Sequence, residues 1–285
     1  MKRITEQKFE EERALYGESD LTLLSCSFEG EADGESALKE ASNIDVVGTS
    51  FKLRYPFWHC KRVNIFDSYM SESCRAALWY SDDVKISRTR MHGIKALREC
   101  KRVVISDSEI ISPEFGWFSS DIKMTDTEAT SEYFMLRAER LDFSDVKFRG
   151  KYSFQYITDS TFENCNFDTK DAFWHAKNVT VKNSVVKGEY LAWYSENLTF
   201  ENCLIIGTQP LCYCKNLRLI NCRTEGCDLS FEKSSVYAEI DGPVDSIKNP
   251  ESGEIFAESA ELILDAPTEC KIRLKNNLEN TVCKV

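Results

Sequence analysis

Three six-residue segments decide the fold: Val179–Ser184 reads VTVKNS, Leu198–Cys203 reads LTFENC and Leu217–Cys222 reads LRLINC. Their first residues, at 179, 198 and 217, are separated by a constant step. With a two-residue and a four-residue insertion, the same frame runs back to Lys2, and it runs forward to Val236. A fixed step of this length is the signature of a solenoid, in which each repeat forms one coil.

Every coil follows one pattern. Its third position is apolar from the second coil to the twelfth: Leu23, Val46, Ile65, Ile86, Ile105, Met124, Phe143, Phe162, Val181, Phe200 and Leu219. The first and third positions share a face at period two, as a strand with one buried side requires. The pattern predicts an all-β, single-domain parallel β-helix over 1–285 with about thirteen coils of about 19 residues. The repeat frame covers 2–235, and we expect an irregular C-terminal cap over 236–285.

The fifth position of the coil holds amides and carboxylates: Asp67, Asp107, Asp126, Asp145, Asn164, Asn183, Asn202 and Asn221. Stacked coils lie roughly 4.8 Å apart, so identical side chains fall above one another and hydrogen-bond along the axis. We interpret this column as a structural ladder, the alternative being a catalytic or metal-binding role for its acidic members. The cysteines also keep fixed positions in the repeat and alternate there with Ser, Ala and Thr, which indicates small packing residues rather than ligands. We therefore predict no metal site and no cofactor.

Composition argues against two classes of partner. The formal charge of -11 and the pI near 5.0 oppose attraction to nucleic acid and to anionic lipid surfaces. The segment 1–9 has basic residues but no apolar stretch behind them, as a secretory signal requires, and no apolar run approaches the roughly 20 residues of a membrane span. We expect a cytoplasmic protein that does not enter the membrane and whose twelve cysteines are reduced.

Several motifs resemble one bacterial family of unknown function, DUF3737. They are Glu12–Tyr16 (ERALY), Gly34–Asn43 (GESALKEASN), Arg54–Cys60 (RYPFWHC), Asp171–His175 (DAFWH) and Gly188–Trp193 (GEYLAW). Members of that family have a pectin-lyase-like, right-handed parallel β-helix. The resemblance covers nearly the whole chain and therefore implies this fold and this handedness. It implies no activity, because none is established for the family.

All five tryptophans fall in one column of the repeat, five residues from the end of the coil. Lys39, Arg98 and Gln155 occupy this column in other coils, which indicates that it contacts solvent. The column that follows it holds His, Tyr and Glu residues. We predict a strand whose last residues present an aromatic stripe on one outer face, with these candidate binding residues: Trp58, His59, Trp79, Tyr80, Trp117, Trp174, His175, Trp193, Tyr194 and Tyr213.

Two classes of function remain open at this point. The first is a non-catalytic binding or scaffold solenoid that recognises a glycan or a protein through the stripe, unless the chain's own tail or a second copy in a homo-oligomer covers it. The second is a carbohydrate-active enzyme, a polysaccharide lyase or glycoside hydrolase, which needs two carboxylates in one cleft. The sequence does not decide whether the protein is an enzyme. The missing export signal favours binding, because the polymers that such enzymes degrade are extracellular.

Overall fold

The computed structural model describes residues 1–30 and 35–276. It is an all-β parallel solenoid of about 14 turns, and this described part contains no helix. The chain divides into two compact units, residues 1–147 and 148–285. The predicted fold class is confirmed. The right-handed sense and the grouping of 1–285 into a single domain stay predictions.

The first unit carries β1 to β17 and the start of β18: β1 Lys2–Thr5, β2 Lys8–Phe9, β3 Ser19–Leu24, β4 Ser27–Phe28, β5 Ser42–Val47, β6 Ser50–Phe51, β7 Lys61–Phe66, β8 Tyr69–Met70, β9 Asp82–Ser87, β10 Arg90–Met91, β11 Lys101–Ser106, β12 Glu109–Ile111, β13 Glu114–Phe115, β14 Ser120–Thr125, β15 Glu128–Ser131, β16 Tyr133–Phe134, β17 Glu139–Ser144 and β18 Lys147–Gly150. The second unit carries the rest: β19 Thr158–Glu163, β20 Asn166–Asp168, β21 Lys177–Lys182, β22 Val185–Lys187, β23 Glu196–Glu201, β24 Leu204–Ile206, β25 Leu217–Glu225, β26 Ser235–Ile240, β27 Val244–Lys248, β28 Ser252–Ala257, β29 Ala260–Ile263 and β30 Glu269–Leu274.

Equivalent strands stack in parallel and in register within each unit. In the first unit Val103 pairs with Val84 on one side and with Ile122 on the other, and in the second Val179 pairs with Leu198. The apolar first and third positions of these strands point inward and are almost completely buried. Burial of this column provides the core, at about 25 cal/mol for each Å² of apolar surface removed from water.

The corner after each long strand explains the amide column. Asn183, Asn202 and Asn221 have φ angles of 48°, 53° and 50°, in the left-handed region that Asn and Asp tolerate better than most residues. Their amides are also bonded along the axis: Asn202 Nδ2 donates to Asn183 Oδ1 at 3.1 Å, and Asn221 Nδ2 donates to Asn202 Oδ1 at 2.8 Å. The structural ladder is confirmed for these three coils.

The buried Ser, Thr and Cys residues bond the backbone as well as filling space. The Cys100 amide donates to Ser119 Oγ at 3.1 Å, and the Cys214 amide donates to Ser234 Oγ at 2.9 Å. The Cys214 thiol donates to the carbonyl of Ala192 at 3.0 Å. Because thiols and hydroxyls both bond the backbone at these corners, the three residue types replace one another. The eleven cysteines in the described residues are buried, and Cys283 lies outside that part.

The structure corrects the expected irregular cap at 236–285. Strands β26, β28 and β30 continue the stack in register, with Ser235 paired to Ser252 and Ser252 paired to Glu269. The step between these coils is shorter than the step between the coils before them. The repeat frame therefore no longer matches their sequence, although the coils continue to Leu274. The remainder of the predicted cap, 277–285, lies outside the described residues. Among those described, no helix is long and apolar enough to cross a membrane.

Candidate functional site in two aromatic columns

The segment that carries the aromatic stripe is a turn, and the strand predicted there is wrong. In one representative coil, Tyr55, Phe57 and His59 have φ angles of 61°, 62° and 55° and alternate with residues of ordinary φ. This alternation prevents a regular pleat. It also sends successive amides to opposite neighbours, because Phe57 N donates to the Ala37 carbonyl and His59 N donates to the Trp79 carbonyl. The coils therefore stack here mainly through turns, and the short pair of β13 and β16 lies in the same segment.

The inner column consists of the tryptophans and their equivalents, and all five indoles are half-buried. Each indole Nε1 donates to a backbone carbonyl of the next coil, with acceptors Ala76 for Trp58, Lys95 for Trp79, Tyr133 for Trp117, Tyr190 for Trp174 and Gln209 for Trp193, at 2.5 to 2.8 Å. In the same column, Gln155 Nε2 donates to the Asp171 carbonyl at 3.0 Å. Because the amide of Gln155 repeats what the indoles do, we assign the column a structural role, which is to satisfy a backbone acceptor at the turn.

Indole faces in the inner column cover one another. Trp58 and Trp79 stack at 5.2 Å between ring centroids with an interplanar angle of 3°, and Trp174 and Trp193 stack at 5.5 Å and 5°. Between Trp79 and Trp117 the Arg98 guanidinium takes the place of a ring, 5.1 Å and 5.7 Å from the two ring centroids. A sugar stacks on the face of an indole, so the faces inside these stacks are not available to one.

The outer column, the residue after each inner-column position, is more exposed. In the second unit it forms a run of four stacked rings: Tyr156 and His175 at 4.8 Å, His175 and Tyr194 at 5.1 Å, and Tyr194 and Tyr213 at 4.9 Å. In the first unit, His59 and Tyr80 stack at 4.8 Å. The exposed fractions are 38% for Tyr80, 43% for Phe118, 40% for Tyr156 and 46% for Tyr194. The column thus presents ring edges to solvent.

Charges lie beside the outer column. The Tyr213 hydroxyl donates to Glu232 at 3.4 Å, and Glu232 pairs with Lys248 at 3.3 Å. Burial and the neighbouring Glu232 carboxylate raise the pKa of Tyr213, so its phenol is a donor at neutral pH. Lys177 and Glu196, two residues beyond His175 and Tyr194 in their coils, form an ion pair at 3.4 Å. The edge column therefore combines aromatic area with hydrogen-bonding and charged groups.

One carboxylate of the acidic column, that of Asp67, is held by an arginine. Both oxygens of Asp67 accept bonds from Arg88, at 2.6 Å from Nε and 2.9 Å from Nη2. These bonds lower the pKa of Asp67. Arg88 thus neutralises the first member of the column that the enzyme hypothesis relies on. In the described part of the chain, no group of three or more His, Cys, Asp or Glu side chains is placed to hold a metal ion.

The structure assigns the ten candidate residues to two groups, one per unit. Trp58, His59, Trp79, Tyr80 and Trp117 lie in the first unit, and the other five, Trp174, His175, Trp193, Tyr194 and Tyr213, lie in the second. Trp174 and Trp193 stack at adjacent levels with His175 and Tyr194 beside them, as predicted, while binding of a ligand there stays a prediction. The repeat placed Arg98 in the inner column and Tyr156 in the outer column, but neither was counted among the candidate binding residues. The structure shows that Arg98 lies between Trp79 and Trp117 and that Tyr156 stacks on His175.

Comparison with known proteins gives one family and several remote structures. The family model described as "Protein of unknown function (DUF3737)" matches residues 2–275. No curated protein matches the sequence.

Solved structures with detectable likeness differ widely in kind. They include HetL, a pentapeptide repeat protein from the cyanobacterium Nostoc sp. strain PCC 7120, at 12% identity and a TM-score of 0.31 over 78% of this chain and 92% of that one. PfbA, a surface adhesin of Streptococcus pneumoniae, has 11% identity and a TM-score of 0.36 over 89% and 70%. The A-module of the Azotobacter vinelandii mannuronan C-5 epimerase AlgE4 has 8% identity and a TM-score of 0.33 over 98% and 88%. At these scores none of the three informs on function.

Proposed function

This chain belongs to the DUF3737 family, and we propose that it is a non-catalytic binding solenoid whose outer aromatic column contacts a protein partner. The observation that carries the proposal is the run of stacked rings at Tyr156, His175, Tyr194 and Tyr213. Tyr194 keeps 46% of its surface exposed although two of these rings and an indole contact it. Large aromatic residues exposed together on a rigid surface usually mark contact with another molecule.

The geometry favours protein over glycan as the partner. Within the stack each ring face lies on the next ring, so a ligand meets the edges, the phenol hydroxyls and the imidazole. Tyr residues that offer an apolar edge and a hydroxyl at low entropic cost are typical of protein interfaces. Sugar binding would instead use exposed faces. A second copy of this chain is a protein partner of the same kind and would make the contact a homo-oligomer interface.

The carbohydrate-active enzyme remains the alternative, but we do not prefer it. It requires two carboxylates that converge on one cleft, and in the acidic column Asp67 is bonded to Arg88 instead. We also propose that the protein is cytoplasmic, since the expected partner is a protein and not an extracellular polymer.

The test compares wild type with a double variant, Tyr156→Ser with Tyr194→Ser. Purified proteins are studied by sedimentation for self-association, by affinity capture with quantitative mass spectrometry, and on a glycan array. Each captured candidate is then remade in pure form and titrated. We expect one protein partner, or self-association, that weakens at least about tenfold in the double variant, since interface Tyr residues commonly contribute about 2 kcal/mol each.

The matched control is Val104→Ser, because Val104 is 39% exposed but lies on the outer face of the long-strand sheet. It should leave the partner's affinity unchanged. If no protein partner is found and wild type binds a glycan on the array that the double variant does not bind, the partner of the outer column is a sugar and not a protein. A partner whose affinity the double variant leaves intact would contradict the outer column as its site.

A further inference from the structure

An open cleft of about 410 Å³ lies at the carboxyl ends of the last strands of the second unit. Residues from four strands that are neighbours in the sheet line it: Asn221 from β25, Glu239 and Ile240 from β26 with Asp241 directly after them, Phe256 and Ala257 from β28, and Arg273 and Leu274 from β30 followed by Lys275. Its volume is within the range of small-molecule sites. The aromatic columns contribute no residue to it.

The cleft exists because the amide ladder stops here. β25 still turns at its fifth position, where Asn221 has a φ angle of 50°, but β26 contains no residue of positive φ and therefore lacks this turn. The pairing of β25 with β26 is irregular between Leu219 and Cys222, and Cys222 pairs with Ile240. Asn221 consequently has no amide stacked on its far side. The groups that would fill the next level of the ladder are the carboxylates of Glu239 and Asp241, which accept hydrogen bonds and donate none.

One wall of the cleft consists of hydrogen-bond acceptors that are only partly used within the described residues. Asn221 donates through Nδ2 to Asn202, which leaves its Oδ1 without a partner within the described residues. Arg223 contacts Asp241 through Oδ2 at 3.1 and 3.2 Å, and Tyr237 donates to Glu239 through Oε1. Oδ1 of Asp241 and Oε2 of Glu239 have no bond in the described part of the chain. This wall therefore presents three acceptor oxygens and two carboxylates, of which Asp241 is paired with Arg223 and Glu239 has no ion pair in the described residues.

The opposite wall consists of donors. Arg273 uses Nη2 for Glu254 at 3.0 Å, and its Nε and Nη1 have no acceptor among the described side chains. Lys275 has no ion pair in that part of the chain either. Between the walls lies Phe256, which pairs with Glu239 on one side and with Arg273 on the other. Two inter-strand steps separate the walls, roughly 10 Å between backbones.

We propose that this cleft binds a small zwitterion, with the ligand's ammonium at Glu239 and Asp241, its carboxylate at Arg273 and Lys275, and its apolar body on Phe256. The charges of the cleft cancel in sum but are sorted by side. A ligand of one sign gains from one wall and is repelled by the other, and a neutral ligand gains from neither charge. A free amino acid or short peptide satisfies both walls at once. The site is independent of the proposed outer-column interface.

The experiment titrates the full chain with the dipeptide leucylglycine by calorimetry, alongside N-acetyl-leucylglycine and leucylglycinamide. We expect saturable binding of the free dipeptide, and about tenfold or weaker binding of either blocked form, because a charge-assisted bond to a charged group is lost. Glu239→Gln should weaken the free dipeptide by a similar factor but should not weaken the acetylated one further. Lys275→Gln should likewise weaken binding of the free dipeptide by a similar factor but should not weaken binding of leucylglycinamide further.

The matched control is Lys271→Gln, which removes a lysine from the same strand outside the lining of the cleft. It should leave the dissociation constant within twofold of wild type. Equal binding of blocked and free dipeptide, or weakening of all three peptides to the same degree by Glu239→Gln, would overturn the proposal. So would the absence of saturable binding at millimolar dipeptide while thermal melting shows all variants folded.

Discussion

The two units use different side chains at the turn that ends each coil. The column at the end of each coil alternates charges over most of the first unit, through Arg62, Asp83, Arg102, Asp121 and Arg140, while the second unit begins with Asp159 and continues with Asn178, Asn197 and Asn216. All these residues have φ angles between 52° and 57°. Arg140 bonds Asp121 at 2.6 Å, and Asn197 bonds Asn178 at 2.9 Å. The backbone requires a side chain that tolerates the left-handed region and bonds the neighbouring coil, and it does not require a particular charge.

The outer column differs between the units more than the inner column does. Each unit stacks one pair of indoles directly, Trp58 on Trp79 and Trp174 on Trp193, and Arg98 follows the first pair. In the outer column Glu99 separates Tyr80 from Phe118, whereas the second unit has four consecutive rings. The first unit forms its coils with Arg98 between two indoles, so an unbroken stack of indoles is not needed for the fold. The continuous outer rings of the second unit are thus the feature that folding does not explain.

The largest expected effect comes from Trp174→Ala. The variant loses the Trp193 stack, the bond to the Tyr190 carbonyl and half-buried area, and we expect a loss of about 3 kcal/mol in the free energy of unfolding. Urea denaturation measures it. Trp174→Gln copies the residue found at 155 and should recover about 1 kcal/mol by restoring the donor. If Trp174→Ala melts like wild type yet loses a ligand, the inner column is a binding surface and the structural assignment is wrong.

The next effect is that of Asn202→Leu in the amide ladder. Leucine loses both ladder bonds and adopts the left-handed region at a cost, so we expect about 2 kcal/mol of destabilisation. Asn202→Gly is the matched control, because glycine adopts this φ freely and loses only the bonds, at about 1 kcal/mol. Chemical denaturation of both variants measures the difference. Equal losses in the two would show that backbone conformation contributes nothing to the choice of Asn.

A smaller effect on stability distinguishes the charged residues of the coil-end column from its amide residues, because only the charged ones respond to pH. Arg140 lowers the pKa of Asp121, so the pair stabilises the fold at pH values above the unfolded-state pKa of about 4. That stabilisation is lost as the pH falls through the lower folded value. The melting-temperature difference between wild type and Asp121→Asn should therefore vanish at low pH and shrink in about 1 M salt. The difference for Asn197→Ala should stay constant with pH, and a parallel decline would contradict the comparison.

The fold was predictable because its determinants repeat. Inward residues such as Val181 and Phe200 recur at one step, and a strand with one buried face is the only regular element that fits them. The prediction failed where the step shortened, at Ser235 and Ser252, because a frame that keeps the earlier step no longer matches coils that begin at Ser252 and Glu269. The turn at 54–59 was mistaken for a strand because Phe57 and His59 have positive φ angles, which their residue types do not signal.

The aromatic stripe was predictable in position but not in orientation. A column shows which residues neighbour each other, whereas the direction of a ring depends on where its polar atom finds a partner. The Trp174 indole is held by the carbonyl of Tyr190 in the next coil, and its face is covered by Trp193. The cleft was not predictable, because Asn221, Glu239 and Arg273 meet at steps that differ from the repeat.

The smallest expected effect on stability belongs to Tyr194→Ser, and it decides whether the outer column is a surface or a structural element. Tyr194 is 46% exposed, while its ring still lies on His175 and Tyr213 at 5.1 Å and 4.9 Å. Much of the ring area that serine removes faces water or an adjacent half-buried ring, so we expect less than about 1 kcal/mol of destabilisation, well below that of Trp174→Ala in the preceding coil. Urea denaturation of both variants in one buffer measures the ratio.

A loss for Tyr194→Ser comparable to that of Trp174→Ala would make the outer rings part of the scaffold and remove the reason to propose a partner there. A small loss of stability together with a large loss of partner affinity would assign the ring edges to binding, because only a residue that folding does not need is free to be kept for contact with another molecule.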